Sequence, residues 1–102
     1  MRQFDVFANP SPASRAYAPY VVVLQSHHLQ GLDTVVIAPL VIDATPALNQ
    51  VDVPLRFDGR DLWLAMAEMS NAPVGRLGRK RGDLVAYYDD IRRAIERIFT
   101  GF

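Results

Sequence analysis

Apolar and polar positions alternate with a period of two through most of the chain, then change near its end to a period close to 3.6. In QFDVFA, Phe4, Val6 and Ala8 fall on one face, which predicts a half-buried strand. NPSPAS ends it, because Pro10 and Pro12 do not fit a central strand. YVVVLQS is a continuous β-branched run and predicts a strand buried on both faces. HHLQGLD reads as a turn, and TVVIAPL resumes strand character, with Pro39 marking an edge or a bulge. After a proline-marked stretch around Pro46, VDVPLRF places Val51, Val53, Leu55 and Phe57 on one face. Asp58-Gly59 then signals a hairpin, and LWLAMAEM is its returning strand. The pattern predicts five or six short strands within 3–69, curled into a small sheet or barrel.

The end of the chain predicts a helix over about 84–99. Asp83 is placed to cap its first turn. Leu84, Tyr88, Ile91, Ile95 and Ile98 recur at steps of four and three and form one apolar stripe. Charged residues fill the opposite face, with Asp89–Arg93 and Arg92–Glu96 spaced four apart for weak ion pairs. Gly101 is the expected terminator, since glycine takes positive φ without steric cost. Continuing the stripe by four residues reaches Phe102, while Phe99 lies one step off it. Two readings of these phenylalanines stand open: they pack back on the sheet, or they are held out for a partner to bury.

Composition narrows the function more than the fold. The chain has 102 residues and a formal net charge of zero, which fits one globular domain spanning 1–102. That balance argues against a dedicated nucleic-acid binder, whose affinity rests on neutralising phosphates. Cysteine is absent, which excludes disulfides, thiolate metal sites and a thiol nucleophile. The first residues lack an apolar signal segment and no run is long enough to span a membrane, so a cytoplasmic location is expected. His27 and His28 lack further ligands nearby in the pattern, and adjacent strand residues point opposite ways; no metal and no cofactor are expected. GRLGRKRGD reads as a basic loop over 75–82, holding Arg76, Arg79, Lys80 and Arg81. It lacks the ending and setting of a phosphate loop; it is a solvated loop or a site for an acidic protein or a phosphate backbone. Trp63 is expected in the core. The serines fall in no nucleophile-elbow pattern and the carboxylates are scattered, so no enzyme activity is expected.

Several blocks together resemble the CcdB family of toxins from type II toxin–antitoxin modules, which poison DNA gyrase. They are QFDVFANPSPASRAYAPYVVVLQS, VVIAPL, MSNAPVGRLG and DDIRRAIERIFTGF, and they run from one end of the chain to the other. The resemblance implies an SH3-like barrel, mainly β with five to seven strands, followed by a C-terminal α-helix. It also implies a homodimer and a cognate disordered antitoxin that folds along the toxin. In the family, the helix tips bind the gyrase A subunit and trap the enzyme on cleaved DNA. The matching positions here are Thr100, Gly101 and Phe102, with Phe99 and Glu96 on the helix and His28 and Leu29 after the second strand.

The chain departs from the family pattern at that tip. Thr100 stands in place of a tryptophan, Phe102 of an isoleucine, His28 of an isoleucine and Glu96 of an asparagine, while Gly101 is kept. The leading expectation is a non-enzymatic gyrase poison that makes no direct contact with nucleic acid or membrane. One alternative is a toxin of the same fold with a lost or changed target. Another is an RNA-cleaving toxin of the MazF/PemK type, which shares the barrel but needs a positioned base and acid.

Overall fold

The computed structural model describes residues 1–26, 31–43 and 52–101. Seven strands form one curled antiparallel sheet: β1 (Asp5–Ala8), β2 (Tyr20–Val23), β3 (Thr34–Val41), β4 (Asp52–Phe57), β5 (Arg60–Ala65), β6 (Ser70–Pro73) and β7 (Lys80–Asp83). The helix α1 (Tyr88–Thr100) follows. Neighbouring strands run in the order β4-β5-β3-β2-β1-β7, and β6 also pairs with β3. This is the expected mainly β fold with a C-terminal helix, the sheet curling into a half-barrel.

Each sheet feature has a local cause. Asp58 and Gly59, at φ 54 and 72, make the two-residue turn of the β4–β5 hairpin; positive φ at both residues gives the turn a twist that matches the right-handed twist of the paired strands. Pro39 lies in a central strand without breaking it. Along its second side, β3 pairs with β6 through Ile37 and with β5 from Leu40 onward. Leu24 N–H bonds Val36 O at 2.9 Å on the β2 side, so by alternation the nitrogen of Pro39 points toward that break. Its missing donor falls where no ladder bond is made. At the closing corner, a Cβ on Gly82 would stand 2.8 Å from the Phe57 ring. Only glycine lets β7 approach the hairpin so closely.

The curl separates two apolar layers. Val6, Val22, Leu40, Leu62, Leu64, Met66, Leu84 and Ile91 fill the main core between sheet and helix. On the other face of the sheet, Phe7, Val21, Val23, Val35, Ile37, Ala72 and Leu77 form a second cluster. YVVVLQS feeds both layers and is buried on both faces, as its pattern predicts. QFDVFA is more buried than alternation suggests: Phe7 enters the second cluster, and buried Asp5 holds Lys80 at 3.2 Å and the Arg2 backbone N–H at 2.8 Å. Val53 and Leu55 enter the core with half-buried Phe57, as expected, whereas Val51 lies outside the described residues.

Five expectations are corrected. Strand structure continues past residue 69, because Ser70–Pro73 adds to β3 and Lys80–Asp83 adds to β1. The basic segment 75–82 is therefore not all loop. Asp83 does not cap α1: its carboxylate accepts the Val85 N–H at 3.1 Å and opens a 3-10 turn, Val85–Tyr87, so the α-helix begins at Tyr88. Arg93 bonds the Asp90 carboxylate at 3.0 Å rather than that of Asp89, the three-residue partner being as near on a helix as the four-residue one. Trp63 is half-buried on the outer face beside Ala18, Val41 and Ala65, outside the main core, because Leu62 and Leu64 take the inward positions of β5.

Candidate target-binding tip

Helix α1 is anchored by its first half and presents its last turn. Ile91 and Ala94 are buried, while Ile95 and Ile98 are half-buried against the core. Tyr88 stands half out, its ring edge-on to Phe4 with centroids 5.5 Å apart. Asp89 and Asp90 in the first turn and Arg97 in the last complement the helix dipole. Gly101 ends the helix in the left-handed region at φ 78, and its N–H closes the last turn on Arg97 O at 3.1 Å. The terminator was legible in the sequence; the exposure beside it was not.

Phe99 is 69% exposed. Its position one step off the stripe turns the ring away from the sheet. An exposed phenylalanine forgoes about 1.5–3 kcal/mol of burial. Thr100 is engaged within the helix: its hydroxyl donates to Glu96 O at 2.6 Å. Glu96 in turn lies 4.0 Å from Arg92. Glu96, Phe99, Thr100 and Gly101 thus share one helix end, with Phe99 as its aromatic projection. His28, Leu29 and Phe102 lie outside the described residues.

A second concave region lies on the far side of β3. Asn9, Ser14, Tyr17, Glu68 and Arg76 surround an apolar floor of Val21, Ile37, Pro39 and Ala72, in a groove of about 320 Å³. Buried Asn9 organises its rim by donating to Ser14 Oγ at 2.9 Å and Ala18 O at 2.8 Å, while accepting the Ser11 N–H at 2.9 Å. The Arg15 Nε donates to Asn9 O at 2.7 Å. The motif NPSPAS signals a break but not this role of Asn9, which depends on the chain folding back at Ala18. Among the described residues no group of three or more metal-ligating side chains converges. No described helix is long and apolar enough to cross a membrane.

Residues 3–101 match the family described as CcdB protein. The chain belongs to the CcdB family. It is a family toxin by that membership, and the family implies a toxin–antitoxin partnership. Among solved structures, the Mycobacterium tuberculosis toxin MazF-mt6 is similar, with a TM-score of 0.72, 19% identity and 96% of each chain covered. At that identity the likeness speaks for the fold alone. No curated protein matches.

Proposed function

We propose that this CcdB-family chain binds the DNA gyrase A subunit through the α1 tip and traps gyrase on cleaved DNA, with no bond chemistry of its own. The supporting observation is Phe99, held 69% exposed at a glycine-capped helix end whose preceding turns are packed on the core. A rigid helix presents such a ring at little ordering cost, which favours binding. Thr100 does not replace the family tryptophan, because its hydroxyl is spent on Glu96 O. The aromatic contact passes instead to Phe99, beside Gly101 and Phe102. A homodimer would present two such tips, and an antitoxin segment covering them would silence the toxin.

Phe99→Ala tests this. The variant should keep its melting temperature, since an exposed side chain contributes within about 0.5 kcal/mol. It should lose growth arrest on expression and bind purified gyrase A subunit at least about tenfold more weakly, as truncated aromatic anchors do. A variant as toxic and as tightly bound as the parent would remove the tip from the mechanism.

The groove beside β3 supports a second reading, RNA cleavage. Glu68 lines it with Arg76, and the Tyr17 hydroxyl donates to Glu68 Oε2 at 3.5 Å, so a carboxylate base, a phenol and a cation share one cleft. Purified protein incubated with cellular RNA, beside a Glu68→Gln variant, separates the two readings. Cleavage lost in the variant would favour the groove; intact RNA favours the tip.

A further inference from the structure

The chain is formally neutral, yet its cations are unevenly used. Arg56 holds Asp61 at 2.8 Å, Lys80 holds Asp5, Arg93 holds Asp90, Arg92 faces Glu96, and Arg15 holds a backbone carbonyl. In contrast, the guanidinium groups of Arg60, Arg76, Arg79 and Arg81 enter no hydrogen bond or ion pair among the described residues, and all four residues are exposed. Two of them, Arg60 and Arg81, meet at one corner of the sheet, and Arg79 stands just before β7. Arg60 pairs with Phe57 across the hairpin. The Phe57 ring lies against Gly82, the residue after Arg81. The charges of Arg60 and Arg81 both act on the Tyr20 hydroxyl.

We propose that this corner is a second docking surface, where Arg60, Arg79 and Arg81 hold the carboxylates of an extended acidic peptide segment of a partner protein. Arginine forks match carboxylate geometry, and unpaired ones need no existing bond broken before they engage. Nucleic acid fits less well. The corner offers no open aromatic face for a base, because buried Tyr20 stands edge-on to Phe57 at 5.0 Å. Asp58 and Asp83 are interleaved with the arginines and would repel a uniform polyanion, whereas a peptide of mixed acidic and neutral residues can avoid them. The surface is independent of the tip. β7 leads toward the N-terminal end of α1, and the helix separates that end from Phe99 by about 16 Å.

Fluorescence anisotropy of the full chain tests the assignment with three labelled probes: an Asp/Glu-Gly/Ser peptide, its Asn/Gln counterpart, and a short DNA duplex. The acidic peptide should bind at low salt and weaken at least tenfold in Arg79→Ala/Arg81→Ala. It should bind Phe99→Ala as it binds the parent, whatever becomes of gyrase binding. The Arg79→Lys/Arg81→Lys variant, which retains charge, should fall between parent and double alanine. Duplex binding tighter than peptide binding, equal binding of the Asn/Gln peptide, no peptide binding, or no loss in a double alanine variant with unchanged circular dichroism would each overturn the proposal.

Discussion

At the scale of single residues, hydrogen bonds decide what a side chain is free to do. Thr100 and Phe99 are neighbours, but one spends its polar group inside the helix and the other offers its ring to solvent. Tyr20 shows the same logic in a buried lock. Its hydroxyl donates to Asp58 Oδ2 at 2.8 Å, and that bond, with burial and the Asp58 charge, raises its ionisation above the ordinary 10.0. A folded value raised above the unfolded one means the lock is fully present below about pH 10 and is lost as pH rises through the folded value. Urea unfolding at about pH 8 and about pH 11 should therefore show a steeper loss of stability in the parent than in Tyr20→Phe. Equal losses would mean that the phenol contributes no pH-dependent stability. None of this was legible in the sequence, since Tyr20 and Asp58 lie 38 positions apart and only the curled sheet joins them.

At the scale of elements, alternation carried the reading where a segment touches one layer, a continuous apolar run carried it for β2, and alternation alone understated β1. The hairpin through Asp58-Gly59 follows from turn chemistry, and the one-sided burial of Val53 and Leu55 follows from alternation. β1 departs from alternation because the sheet has packed residues on both faces. β6 and β7 escaped the reading altogether. SNAP and KRGD carry almost no apolar signal, and they are strands only because β3 and β1 offer them ladder partners. The helix stripe was read correctly from Ile91 to Ile98, but the helix start moved to Tyr88 because a 3-10 turn, Val85–Tyr87, comes first and Asp83 bonds the Val85 N–H there. Burial along that stripe is graded, and so is its energetic weight. Ile91→Ala should cost about 2–5 kcal/mol in chemical denaturation, the range for a fully buried isoleucine. A cost below about 1 kcal/mol would show that α1 is not fastened to the sheet at that point.

At the scale of the whole molecule, edges and ends set the partners. The β4 edge is closed by chemistry of its own: Pro54 offers no N–H, and Arg56 N–H is taken by the Tyr87 hydroxyl at 3.1 Å. That leaves less of the edge available for strand addition. The two proposed partner surfaces are carried by side chains at two ends of the fold, an aromatic one at the α1 tip and a cationic one at the Arg60–β7 corner. The residue blocks made the curled sheet and the C-terminal helix legible from the sequence. The corner was seen only as a basic run, because its third arginine comes from a hairpin 19 positions upstream of Arg79.

The central claim is that the tip turns a folded, chemically inert toxin into a gyrase poison. Plasmid linearisation tests it most directly: purified gyrase and ATP with rising amounts of the protein, cut DNA being captured with detergent and protease. The parent should yield linear plasmid, and both Phe99→Ala and removal of Gly101 and Phe102 should abolish it without lowering the melting temperature. No linear product from folded parent protein, or undiminished product from the tip variants, would contradict the account.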